Sequence, residues 1–89
     1  MTEKIYVTKE QIKVLAKANE LVKGTSDYAK YYIECEWKND KGVWKFIGHT
    51  NSIRPGYVKK VRGQIYVYDE FNNRYRLTAE VMKVLGINS

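Results

Sequence analysis

Cysteine, proline and histidine occur once each in this chain, as Cys35, Pro55 and His49. A lone cysteine excludes an intramolecular disulfide. One cysteine and one histidine do not make a usual structural zinc site, which takes four nitrogen or sulfur ligands. A single proline with six glycines argues against extended disorder. No apolar run approaches the roughly 18 residues that would suggest a membrane span. The opening residues Met1–Val7 also lack the apolar stretch of a signal peptide. These absences point to a cytoplasmic protein without a membrane partner. There is no glycine-rich phosphate loop and no glycine-flanked serine elbow, so no cofactor is implied.

What is present is charge, tyrosine and short alternating segments. The 89 residues carry 16 Lys or Arg against 10 Asp or Glu, a net charge of +6, with eight tyrosines and two tryptophans. The length suits one domain, residues 1–89, with one core. The basic balance implies an acidic partner, either nucleic acid or an acidic protein surface.

Along the chain, residues 1–7 read as a short strand or arm. Thr8 with Gln11 forms a capping box. Ile12, Leu15, Ala16, Asn19 and Val22 then recur at helical spacing, and Gly24 is the stop. From Tyr28 to Trp37 the pattern changes to period two, with Ile33, Cys35 and Trp37 on one face and Glu34, Glu36 and Lys38 on the other. A four-residue turn, Asn39–Gly42, leads to a second strand over about Val43–His49. That spacing sets Trp37 opposite Trp44 and Glu36 opposite Lys45, and puts Trp37, Trp44 and Phe46 in the core.

Tyr57–Val61 and Gln64–Glu70 read as strands around an Arg62-Gly63 turn. Asn72-Asn73 marks the next turn and Arg74–Leu77 the last strand. Thr78 caps a short helix, Ala79–Leu85, ended by Gly86. The register of the last hairpin decides the functional reading. A two-residue turn mixes Arg74 and Arg76 with the core. A three-residue loop, Phe71–Asn73 with Asn73 left-handed, separates polar from apolar and sets Glu70 opposite Arg74. In this preferred register Val58, Ile65, Val67, Tyr75 and Leu77 form the buried face. Tyr57, Lys59, Tyr66, Tyr68, Arg74 and Arg76 form the other.

The expected architecture is α+β. It comprises an N-terminal helix, a five-stranded antiparallel meander and a short C-terminal helix. The strands form either a small SH3-like or OB-like barrel or an open sheet.

The candidate site follows from the charge distribution. Residues 53–76 hold six cations, Arg54, Lys59, Lys60, Arg62, Arg74 and Arg76, against Asp69 and Glu70. Tyr57, Tyr66, Tyr68 and Tyr75 lie among them. Tyrosines stack on bases or sugars and cations meet phosphates, although the same residue types also suit a solvated strand face. The expected binding set is Tyr57, Lys59, Tyr66, Tyr68, Arg74 and Arg76, with Arg54, Lys60 and Arg62 at the rim and Phe71 at a hairpin tip. Arg54-Pro55-Gly56 reads as a turn or a recognition loop.

Other constellations read as structural. Glu34 and Glu36 are expected in a solvated ion-pair cluster with Lys38 and Lys45, and substituting both by Lys is expected to leave activity intact. A Cys35–His49 dyad would need both groups close together and oriented by a third, whereas Cys35 is expected in the core. The chain therefore reads as a non-enzymatic binding protein with no catalytic or metal residues, binding DNA or RNA. The alternative is a protein-binding inhibitor or adaptor of the kind phages and mobile elements encode. An exposed edge strand also allows a homodimer.

Overall fold

The computed structural model describes residues 4–87. The first residues of the expected N-terminal arm, 1–3, lie outside the described residues. The elements in chain order are β1 (Ile5–Val7), α1 (Lys9–Val22), β2 (Ile33–Lys38), β3 (Trp44–Thr50), β4 (Gly56–Val61), β5 (Gln64–Tyr68), β6 (Asn73–Arg76) and α2 (Ala79–Leu85). The fold is α+β, with two helices and one six-stranded, fully antiparallel open sheet in the order β1-β4-β5-β6-β2-β3.

The helices begin and end as their sequences dictate. The Thr8 hydroxyl accepts from the Gln11 backbone N–H, and the Gln11 side chain accepts from Thr8 N–H at 2.8 Å. This satisfies two donors that the first helical turn leaves unpaired. Thr78 caps α2, and Gly86 closes it in the left-handed region at φ 73°.

Both helices cover one face of the sheet. Leu15 of α1 and Val81 and Leu85 of α2 pack with Val7, Ile33, Cys35, Ile65, Val67, Tyr75 and Leu77, all buried. Burial of such apolar area is the main drive to fold, at about 25 cal/mol per Å². The connection from β3 to β4 joins this core, because Ile53 within it is only 3% exposed. Asn19 of α1 anchors the same connection by donating to the Asn51 carbonyl at 3.2 Å.

Four features differ from the expectation. First, the strands number six, because Ile5–Val7 pairs with β4. Second, they do not form a simple meander. β2 lies beside β6, so the β2–β3 hairpin extends the far side of the sheet, and β1 and β3 are its edges. Third, residues 23–31 form turns and bends, and β2 begins only at Ile33. Fourth, the β2–β3 loop has five residues. Asn39 Oδ1 accepts from Lys41 N–H and Val43 N–H at 2.9 and 3.0 Å, and Gly42 takes φ 77°. Lys38 therefore faces Trp44, Trp37 faces Lys45 and Glu36 faces Phe46. A one-residue slip moves every side chain to the other face, so Trp44 and Phe46 leave the core side. Trp37 is 40% exposed. A bulge between Cys35 and Glu36 then restores the pairing, with Cys35 opposite Gly48.

The β5–β6 loop repeats this chemistry. Asp69 Oδ1 accepts from Phe71 N–H and Asn73 N–H at 2.8 and 3.0 Å, and Asn72 takes φ 63°. Tyr68, rather than Glu70, faces Arg74. The left-handed residue is Asn72, rather than Asn73. This shift of two residues preserves the faces, so the expected buried and open sets hold.

Candidate nucleic-acid interface

The sheet face away from the helices carries a band of rings. One row across the strands reads Tyr6, Tyr57, Tyr68, Arg74, Glu36 and Phe46, each directly opposite the next. Tyr57 and Tyr68 stack, with centroids 5.2 Å apart and planes at 22°. Tyr6 meets Tyr57 edge-on at 6.5 Å, Trp44 lies 5.7 Å from Tyr68, and Tyr66 lies 6.2 Å from Tyr68. Offset and edge contacts of this kind are the favoured arrangements of aromatic quadrupoles. The expected tyrosines Tyr57, Tyr66 and Tyr68 are thus brought together. Tyr6 and Trp44 join them.

Arg74 is locked into this band. Its guanidinium carbon sits 4.2 Å from the Trp44 ring centroid and 4.4 Å from that of Tyr66. Its Nε and a terminal nitrogen donate to Glu36 Oε2 at 3.2 and 2.8 Å. Burial by itself would lower the Arg74 pKa, but Glu36 and the Tyr68 hydroxyl outweigh it and hold the charge more firmly. Arg76 pairs with Glu34 at 3.0 Å. The two arginines expected to meet phosphate are therefore already bonded to carboxylates. Glu34 and Glu36 partner them instead of Lys38 and Lys45. The sequence hid this because β2–β6 pairing spans 38 residues between Glu36 and Arg74.

Cations that make no ion pair among the described residues lie around the rings. Lys4 sits 5.1 Å from the Tyr57 centroid, Lys59 sits 5.9 Å from Tyr68, and Lys38 sits 5.8 Å from Trp44. Arg54 lies 4.4 Å from the Phe71 ring. Phe71 is thus capped by a cation from the β3–β4 connection. Arg62 occupies the β4–β5 turn at φ 51°. Lys60 pairs with Ile65 on the helix side, so it lies off the ring-bearing face.

Three hollows follow one another across this side. The first, about 540 Å³, lies between Tyr6, Tyr57, Tyr68 and the Arg54–Phe71 pair. The second, about 280 Å³, shares Tyr57 and Tyr68 with it and adds Lys38, Lys59 and Trp44. The third, about 390 Å³, shares Trp44 and adds Arg62, Tyr66 and Arg74.

The half-buried Asp69 and the buried Tyr75 and Cys35 complete the frame. Burial by itself would raise the Asp69 carboxyl, but hydrogen bonds from Tyr75, Asn73 and Phe71 hold it below its ordinary value. The Tyr75 hydroxyl donates to Asp69 at 2.7 Å, and burial followed by that bond pushes its phenol well above the usual range. Burial likewise raises the Cys35 thiol, and a protonated buried thiol is a poor nucleophile. His49 packs edge-on against Phe46 at 5.5 Å.

Among the described residues no group of three or more His, Cys, Asp or Glu is placed to hold a metal, and no helix is long and apolar enough to cross a membrane. No protein-family model, no curated protein and no solved structure matches this chain.

Proposed function

We propose that this chain binds single-stranded nucleic acid along the open face of its sheet. The observation that carries the reading is the continuous ring band, from Tyr6 through Tyr57 and Tyr68 to Trp44 and Tyr66, bordered by Lys4, Lys38 and Lys59. Exposed rings on a sheet accept unstacked bases, and nearby cations neutralise the backbone. In this reading Arg74 stiffens the platform, while Lys4, Lys38, Lys59 and Arg62 meet phosphates and Arg54 faces the strand at the Tyr6 end. A duplex offers no free base faces and binds more weakly.

Fluorescence anisotropy with labelled single-stranded DNA, RNA and duplex at two salt concentrations tests this. The expected result is micromolar binding to single strands that weakens steeply with salt. Tyr68→Ala should weaken it by about 1–3 kcal/mol, the usual worth of one base–aromatic stack. Normal affinity in a folded Tyr68→Ala variant refutes the stacking platform.

A second reading, a protein-binding inhibitor or adaptor, is favoured by the β3 edge. Phe46 and Ile47 are each 58% exposed there, and an open strand edge accepts an added strand from a partner. That reading expects a discrete protein complex and no affinity for any oligonucleotide at low salt.

A further inference from the structure

We infer that the 540 Å³ hollow at the Tyr6 end of the face is a pocket for a single guanine base of the bound strand. This inference rests on the single-strand reading above and assigns that face a sequence preference.

The volume lies within the roughly 300–1,000 Å³ of small-molecule sites. The walls are of two kinds. Tyr6, Tyr57 and Phe71 supply rings, and Tyr57 belongs also to the ring band, so a strand lying on the sheet runs directly into the hollow. Arg54, Glu70 and Lys9 supply charge at the same hollow.

Arg54 is the informative residue. Its guanidinium carbon lies over the Phe71 ring, 4.4 Å from the centroid. Among the described residues its side chain makes no hydrogen bond or ion pair. A guanidinium held over a ring without a hydrogen-bond partner keeps its planar fork of donors free, a geometry that suits paired acceptors. Guanine offers such a pair in O6 and N7. Glu70 also makes no side-chain hydrogen bond or ion pair among the described residues, and its carboxylate only accepts. Guanine presents N1–H and the N2 amino group on its adjoining edge. A base with acceptors on one edge and donors on the next therefore complements an arginine and a carboxylate lining one hollow. Adenine and uracil lack the paired acceptors, and cytosine, whose O2 and N3 are paired acceptors, offers the carboxylate only its single N4 amino group. Asp69 lines the hollow too, but its oxygens are occupied by Phe71, Asn73 and Tyr75. This leaves Glu70 as the acceptor. Lys9, in the first turn of α1, is placed for the adjacent phosphate.

The hollow lies at one end of the track, so the preference belongs to one end of the strand. The test measures anisotropy with labelled U8, with U8 carrying one terminal G at the 5′ or the 3′ end, and with A in the same places. The expected result is a gain of about tenfold or more for G at one end only, in line with the 1–3 kcal/mol of a good bidentate base contact. Adenine gives no such gain. Glu70→Gln and Arg54→Ala, checked for an unchanged circular dichroism spectrum, should each cut the guanine gain to about twofold or less. Binding of U8 with no gain from guanine at either end overturns the pocket and leaves the platform standing. A gain that survives both substitutions also overturns it. Failure of every oligonucleotide at low salt overturns the platform and the pocket together.

Discussion

Arg74 shows how a residue's neighbours change its role. In sequence it is a surface cation between two asparagines and a tyrosine. In the fold it is gripped by Trp44, Tyr66 and Glu36, with only 15% of its side chain exposed. Removing it leaves a carboxylate half-buried without its partner, and stranded charges are costly. Arg74→Ala should lose about 1–3 kcal/mol of stability by urea titration, and Arg74→Lys should recover little, since lysine lacks the planar fork. An unchanged midpoint would refute the clamp. Glu36→Lys, expected from the sequence to be harmless, should instead bring two cations together and destabilise the face.

Tyr75 and Asp69 are a second residue-scale case with a definite pH signature. Folding lowers the Asp69 pKa, so its contribution is complete above about pH 4 and is lost as pH falls toward the folded value. Folding raises the Tyr75 pKa, so its contribution is complete below about pH 10 and is lost as pH climbs beyond it. Tyr75→Phe should cost about 1–2 kcal/mol at pH 7. Urea midpoints across pH should show the gap to wild type closing above pH 10. A gap constant with pH would mean that the Asp69 bond contributes nothing.

At the scale of elements, the two hairpin loops decide which side chains share a face. Each opens with an Asx residue whose carboxylate or amide oxygen accepts two backbone N–H groups, and each has a left-handed fourth residue. The capping box and the α2 stop were legible because each is set by spacing within one short segment, and the stripe of Ile65, Val67, Tyr75 and Leu77, with the half-buried Val58 beside it, because only one register separates polar from apolar. The place of Trp44 was not, because a four-residue and a five-residue loop differ by one, and the apolar pattern, which gathers Trp37, Trp44 and Phe46 on one face, favoured the four-residue loop that the structure overturns. The Asn39-Asp40-Lys41-Gly42 signal, taken with its Asx turn, points to the longer loop. The β2–β6 pairing was not legible either, since no local pattern specifies a partner so distant in the chain. Gly56 is another element-level constraint. A Cβ there would stand 2.1 Å from the Tyr68 carbonyl oxygen, so Gly56→Ala must push β4 away from β5. It should lower stability by about 1–3 kcal/mol or more, as overpacking does. A variant melting within a degree of wild type would show that the strands yield freely.

For the whole molecule, the net charge of +6 overstates what a ligand meets. Arg74 and Arg76 are matched by Glu36 and Glu34, and Lys60 lies toward the helix side. On the single-strand reading, with Arg54 turned to a base, Lys4, Lys38, Lys59 and Arg62 are the simplest set to meet phosphates. Four contacts give a slope of log affinity against log salt of about −3 for a single strand, whereas six would give about −4. Charge reversal at Lys59 should flatten the slope by about one phosphate's worth. A slope unchanged in a folded Lys59→Glu variant would place the phosphates elsewhere.

The strand order also governs how the chain reaches this state. The β2–β3 and β4–β5 hairpins close locally, but the sheet becomes one object only when β6 joins β5 to β2 and β1 finds β4. These steps tie down long stretches of chain before they are rewarded, and topologies dominated by such steps refold in milliseconds to seconds rather than microseconds. The Trp44 indole meets Tyr68 and Arg74 only at that assembly, so in a Trp37→Phe variant stopped-flow fluorescence of Trp44 should time the joining of the two halves.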